Sequence, residues 1–415
     1  MIVVSSSQTF AEPRLDYSMM DVRRAGKRLT ETIPWNEETH DDVVRMFQVI
    51  NNFRDAHVIP MKSVRASVAG HMRGRGVAGF TAARSKTLPS IRRKIRRHAT
   101  QFDRMNDLAG VRAVADDMAG VNALHQAFVT RTRHEITRTY DYIAEPKPDG
   151  YRSRHLALKY HDHRNRYDGA FEGRRVELQI RTRLQHAWAT AVEAIGLYRG
   201  EDLKAGKGDP DWLRLFALVS EEFAYSEGFA IDAHAGERNA RLRELRDLDA
   251  MLQATAAVDN VRQSIRYLSE YLQPIERPSF YRIVFNRIEG TVAVSSYSDA
   301  FLGLRDFHSE EAIAEDDPNA LERVVFIEAA RIAEIKEAFP NYFGDVRLFA
   351  YNLARLCHGE DAIEYSMAPQ EVVAQGPIER GDPSWLRGRS RTAERGRSSG
   401  GSERKSIMQN LFGRR

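Results

Sequence analysis

A single cysteine, Cys357, stands among 415 residues. One thiol cannot close an intrachain disulfide, and it cannot build a cysteine-based zinc site. That usage fits a reducing compartment, and a cytoplasmic location is expected. No run of about 18 apolar residues occurs, so no membrane-spanning helix and no membrane partner are expected. The opening MIVVSSSQTFAEPRLDY lacks a basic start and an apolar core, so it does not read as a signal peptide. No internal repeat is visible. Strong charge of either sign is also missing, because the net charge is only +4. Arg380–Arg415 carries ten Lys/Arg against three Asp/Glu, which leaves the rest of the chain at about −3. Basicity is therefore a property of the tail and no argument for nucleic-acid binding by the whole. At 42% hydrophobic and 29% charged, the composition is that of a soluble globular protein. The length exceeds what one compact domain usually holds.

Five regions are expected along the chain. Residues 1–75 read as a helical region: THDDVVRMFQVINNFRDA has apolar residues at helical spacing and Thr39 as a cap candidate. GHMRGRGVAG, with four glycines, breaks that pattern. Residues 76–235 alternate helix and strand signals, including the strand-like runs AGVRAVAD, HEITRTYDYI, YRSRHLALKY and RRVELQIRT. They imply an α/β (α+β) domain with a mixed sheet flanked by helices. Residues 236–275 read as one long amphipathic helical spacer, with apolar steps of three and four from Leu242 to Leu272 and Pro274 as its stop. Residues 276–375 read as a small, separate ββαβα domain, and residues 376–415 as a disordered basic tail. On this division a chain ended near residue 275 is expected to stay soluble with altered activity.

Three segments concentrate reactive side chains. RSKTLPSIRRKI sets Arg84 and Lys86 before a helix and Lys94 inside it. NDLAGVR sets Asp107 just before a strand and Arg112 within it. VELQIRT sets Glu177, Gln179 and Arg181 on one strand face. A solvent-facing strand explains the last pattern equally well, since Val176, Leu178 and Ile180 would then form the core. IRRKIRR also fits a solvated helix face, and Asp107 a turn or helix cap. Taken together, two acids on neighbouring strands can hold a hard cation such as Mg2+, and flanking cations can clamp phosphates. A tyrosine at a turn can stack on a base. This is a kit for phosphoryl or pyrophosphoryl transfer.

The same stretches resemble the synthetase domain of RelA/SpoT homologues, the alarmone synthetases, whose fold is nucleotidyltransferase-like. RSKTLPSIRRK resembles the family's ATP loop, DLAGVR its aspartate strand, PKPDGYRSRH its guanosine loop and ELQIRT its glutamate strand, in the family's order. The resemblance covers roughly residues 40–230 and implies an ATP-dependent pyrophosphokinase. Arg84 and Arg112 would flank the adenine of ATP, and Lys86 with Lys94 would contact its phosphates. Asp107 and Glu177 would hold Mg2+, with Glu177 also helping to deprotonate the attacking 3′-hydroxyl. Tyr151 would stack on the acceptor's guanine, Lys147 and His155 would bind its phosphates, and Gln179 would orient it. The acceptor would be GDP or GTP, and the product (p)ppGpp.

Long members of that family carry an HD-type hydrolase ahead of the synthetase. His40 and Asp41 have no upstream partners for such a site, and a helix N-terminus is expected there instead. Glu193 stands where some small synthetases continue Glu-His, but Ala194 follows here. His186 and Trp188 read as helix-core or pocket-lining groups. FPNYFGDVRLFAYNL reads as core or as a partner surface. Two further functions remain open: a toxic small synthetase acting on the tRNA 3′ end, and an inactive nucleotide-sensing module, against which the intact Asp107 and Glu177 argue. A second copy of the chain and an antitoxin remain open as partners.

Overall fold

The computed structural model describes residues 12–31, 39–199, 201–229, 235–264, 266–268, 280–286, 291–298, 303–304, 306–308, 322–328, 346–369 and 372. Three helices lead: α1 (Met19–Arg28), α2 (His40–Asp55) and α3 (Val58–Arg75). Ser18 caps α1 by accepting from the Asp21 N–H while Asp21 bonds back, a capping box. Thr39 makes no such bond at α2, because its backbone is already helical (φ −99°, ψ −9°) rather than extended. The glycines of GHMRGRGVAG do not stop α3 at residue 70. Val68 and Met72 are buried, so packing holds the helix to Arg75, and Gly76 ends it at φ +62°.

The mixed α/β sheet expected from sequence is present. Its strands are β1 (Gly79–Ser85), β2 (Ala109–Ala115), β3 (Glu135–Asp141), β4 (Arg154–Lys159), β5 (Arg175–Thr182), β6 (Arg266–Leu268), β7 (Phe280–Asn286), β8 (Thr291–Tyr297) and β9 (Glu322–Glu328). They lie in the order β3-β4-β5-β2-β1-β9-β7-β8-β6. β2 runs parallel to β5 and β6 parallel to β8, and the other pairs are antiparallel. The helices among these strands are α4 (Leu88–His98), α5 (Met118–Arg131), α6 (Arg183–Arg199), α7 (Pro210–Ser226), α8 (Ala235–Leu252) and α9 (Ala254–Ser264), with α10 (Arg347–Cys357) after them.

Period-2 alternation gives the sheet two unlike faces. Val111, Ala113, Leu156, Leu158, Leu178 and Ile180 point to one side and pack under α3 and α5, against Met61, Val64, Val121 and Phe128. The opposite face carries the polar residues described below. It is walled by α4, whose Leu88, Ile91 and Ile95 sit in the core of the N-terminal helices, and by α6.

The spacer differs from its expectation. The helix breaks at Gln253, which takes a left-handed φ of +49°, and a new helix starts at Ala254. Asp249 holds the corner by accepting from the Thr255 N–H and hydroxyl, both at 2.8 Å. Leu268, read as helical, lies in β6 beside Ala293. Nor do α8 and α9 stand free: Leu245, Val258 and Val261 join Trp212 and Phe216 of α7 and Phe349 and Leu353 of α10 in one core. The FGDVRLFAYNL end of the aromatic segment is thus core at Phe349 and Leu353. Beyond the expected boundary at 275, β9 pairs with β1 at Ala83↔Glu328 and Arg84↔Ile327, so the sheet is continuous. Strands form at the three expected places in the C-terminal unit. The helix read over residues 330–339, most of that over 300–315, Pro274 and the tail 376–415 lie outside the described residues.

Candidate active site

Strand register assembles the site. Gly110 of β2 lies opposite Glu177 of β5, and Arg112 opposite Gln179. On the far side of β5, Ala157 pairs with Glu177 and His155 with Gln179. On the far side of β2, Arg84 pairs with Gly110 and Ala82 with Arg112. Residues paired across strands share a face. Arg84, Arg112, His155, Glu177 and Gln179 therefore stand on one side of the sheet, opposite the apolar core. They line a cleft of about 390 Å³, and Lys86, Lys94, Asp107, Lys147 and Tyr151 line it too. All ten residues expected from the sequence meet there. Glu177 and Gln179 turn inward to this cleft, so the solvent-facing alternative for that strand does not hold.

Asp107 is the electrostatic centre of one wall. Its Oδ2 accepts from Lys86 Nζ at 2.9 Å and Lys94 Nζ at 2.8 Å. Burial raises its pKa, but the two ammonium groups outweigh burial and hold it at about 2. Its Oδ1 is buried and has no hydrogen-bond partner among the described residues. Glu177 accepts from Gln179 Nε2 at 2.7 Å and lies 3.4 Å from His155 Nδ1. Burial and the charge of Asp107 push its pKa up. The contacts from His155 and Gln179 more than offset this, so the carboxyl ionises below its usual range. Among the described residues no group of three or more His, Cys, Asp or Glu gathers as a ready metal cluster. An orphaned carboxylate oxygen beside a second carboxylate nevertheless fits a hard divalent cation that takes its other ligands from phosphates and water.

The hairpin supplies the opposite wall. Lys147 Nζ lies 4.6 Å from the Tyr142 ring centre and 4.9 Å from that of Tyr151, a cation between two aromatic rings. The Tyr151 hydroxyl is 2.9 Å from His155 Nε2, and its ring packs toward Trp188 at 6.4 Å. The turn between them needs glycine. Gly150 sits at φ +89°, and a β-carbon there would lie 3.0 Å from Ser220 Cβ and 3.1 Å from Ala217 Cα of α7. Gly150→Ala is expected to cost about 1–3 kcal/mol of stability and to displace the Tyr151 loop. Thermal unfolding and acceptor KM read the two effects. An unchanged acceptor KM would mean that the turn does not position Tyr151.

Sequence reasoning left several lining residues without a role. Arg181, next on the same face of β5, is 3% exposed and donates to His186 Nδ1. Glu193 of α6 pairs with Lys204 and is held ionised: burial opposes this, but Lys204, Arg84 and Arg112 prevail. Trp188 is pocket-lining, with its indole N–H on the Phe216 carbonyl at 2.7 Å. The alternation in VELQIRT already marked Arg181. Lys204 lay in a glycine-rich loop with no signal.

Residues 83–202 match the family model described as a region found in RelA / SpoT proteins. Over this segment the chain is similar to the RelA/SpoT region. It is 32% identical over 161 residues to the GTP pyrophosphokinase of Escherichia coli (strain K12), covering 37% of this chain and 20% of that protein. It is 32% identical over 122 residues to GTP pyrophosphokinase YjbM of Bacillus subtilis (strain 168), covering 28% of this chain and 55% of that one. The chain thus spans only a fifth of the length of the long curated relatives. Among solved structures, the small alarmone synthetase 1 from Bacillus subtilis aligns at 21% identity and a TM-score of 0.37, covering 46% of this chain and 96% of that one. No helix among the described residues is long and apolar enough to cross a membrane.

Proposed function

We propose that the cleft transfers a pyrophosphoryl group from ATP to the ribose 3′-hydroxyl of GDP or GTP, making (p)ppGpp. The observation that carries this reading is the meeting of two ionised carboxylates, a cationic wall and a tyrosine hairpin in one cleft. The RelA/SpoT region and the pyrophosphokinase relatives support it. In the transfer the acceptor's 3′-oxygen bonds to the β-phosphorus of ATP, the bond from that phosphorus to the bridging α-oxygen breaks, and AMP leaves. Such a step needs positioning and charge more than covalent chemistry.

Arg84 and Arg112 take the adenine of the donor. Lys86 and Lys94, already gathered at Asp107, share their charge with the donor's phosphates. Asp107 and Glu177 would hold Mg2+, which supplies charge neutralisation on the transferred group. Glu177 accepts the acceptor's 3′-hydroxyl hydrogen, and Gln179 fixes the carboxylate and the ribose. Tyr151 stacks on guanine, with Lys147 and His155 near the acceptor's phosphates.

Incubating the purified chain with γ-labelled ATP, Mg2+ and GDP, GTP or deacylated tRNA tests the reading. Label is expected in the guanosine nucleotide. Label confined to tRNA would replace the acceptor, and no transfer to any of the three would overturn the enzyme. Tyr151→Ala is expected to weaken the acceptor by about 1–3 kcal/mol, the worth of one stacked base, and to leave the KM for ATP unchanged. A loss on the ATP side instead would reverse the two halves of the cleft.

A further inference from the structure

Beside the cleft lies a second chamber of about 680 Å³. Lys94, Asn106 and Tyr140 line both. Its other cations are Arg104, Arg138 and Arg175, and no Asp or Glu lines it. The strand register explains why they converge. Arg175 precedes Glu177 by two residues on β5 and shares its face. Arg138 of β3 pairs with Ala157 of β4, which pairs with Glu177, so Arg138 stands in line with the carboxylate across two strands. Arg104 enters from the single turn Phe102–Arg104.

Two of these arginines donate to neutral groups. Arg175 Nη1 donates to Asn106 Oδ1 at 2.8 Å, and Arg138 Nη1 to the Tyr140 hydroxyl at 3.4 Å. Among the described residues Arg104, Arg138 and Arg175 form no ion pair, and the one ion pair of a lining cation, Lys94 to Asp107, points back to the cleft. Three arginines without an acid beside them therefore face one hollow, and an anion placed there would meet all three charges. Guanidinium forks match phosphate oxygens, and the volume exceeds what a single phosphate fills.

We propose that this chamber binds the polyphosphate chain of a nucleotide. Two sources present that chemistry: the 5′ chain of the acceptor whose 3′-hydroxyl sits at Glu177, or a second nucleotide acting as an effector. The first source rests on the transfer reaction proposed above, and the second does not.

The test compares the wild-type chain with the double variant Arg104→Ala/Arg138→Ala, whose two positions are exposed and contribute no core. Inorganic tripolyphosphate is titrated calorimetrically, with a non-hydrolysable ATP analogue filling the donor site. The wild type is expected to bind tripolyphosphate at least tenfold more tightly than the variant. Equal affinities, or no binding to the wild type, would overturn the chamber and leave its arginines as solvated surface. GTP that displaces tripolyphosphate, with a KM for GTP raised in the variant and kcat and the KM for ATP unmoved, assigns the chamber to the acceptor. Tripolyphosphate that stays bound beside saturating GTP assigns it to an effector nucleotide. If the ATP analogue itself fails to bind, the transfer reading falls. The chamber is then judged by tripolyphosphate alone, wild type against variant.

Discussion

Glu177→Gln is expected to lower pyrophosphoryl transfer by about 10²–10⁴-fold, the range removed with a positioned proton acceptor, and to leave the fold intact. Glutamine fills the same volume, and its side-chain oxygen can still accept from Gln179 Nε2, which now lies 2.7 Å from the carboxylate. What disappears is the negative charge. In the proposed reaction that charge is one of two carboxylates for a cation and the acceptor of the 3′-hydroxyl hydrogen. The sign of its pKa shift gives a second readout. Burial would raise the carboxyl, but His155 and Gln179 hold it below its ordinary 4.5. Glu177 therefore stays ionised as pH falls to that value. The wild-type rate should show no limb from Glu177 above it, only below. Near-wild-type turnover in the variant would remove Glu177 from the mechanism. So would a wild-type acid limb that persists unchanged in the Gln chain.

The site was more legible than the fold around it. Asp107, Arg112, Glu177 and Gln179 could be placed on strands or their ends from spacing alone, whereas Arg84 and Lys86 read only as a loop before a helix, and the strand β1 that carries Arg84 was not legible. Which face of the sheet these residues occupy could not be read, because VELQIRT alternates identically whether its polar side meets water or a cleft. Register across β1, β2, β5 and β4 settles that, and register is a long-range property. The spacer shows the opposite limit. Steps of three and four run unbroken through Gln253, yet the chain turns there into the left-handed region. Nothing local in QAT demands it. The turn lets Leu245 and Val258 reach the same core as Phe349, and tertiary packing overrides periodicity. The aromatic segment before residue 353 was equally ambiguous, since rings that fill a core and rings that await a partner have the same composition.

Ending the chain at residue 275 is expected to destroy the folded protein, not to release a more active one. The expectation turns on α10, a helix distant in sequence from the motifs. Phe349, Leu353 and Leu356 are each 0% exposed and sit among Trp212, Phe216 and Leu245. The Phe349 ring lies 5.6 Å from Phe216 and 6.1 Å from Phe223. Asn352, also fully buried, bridges to Ile363 through both its amide nitrogen and its oxygen. Truncating one such Leu or Phe costs about 2–5 kcal/mol. Removing three together consumes a typical domain's stability of about 5–15 kcal/mol. The same cut strips β9 from β1 beside Arg84 and opens a strand edge. A chain of residues 1–275 should therefore collect in the insoluble fraction. A chain ended at residue 375 should stay soluble and keep turnover. Phe349→Ala grades the effect, lowering stability in denaturant unfolding by about 3–5 kcal/mol with the cleft residues untouched. A soluble 1–275 chain with cooperative unfolding like the full protein's would show that α10 is dispensable. The boundary at 275 would then divide two independent domains, and an activity above the full chain's would make the second a restraint on the first.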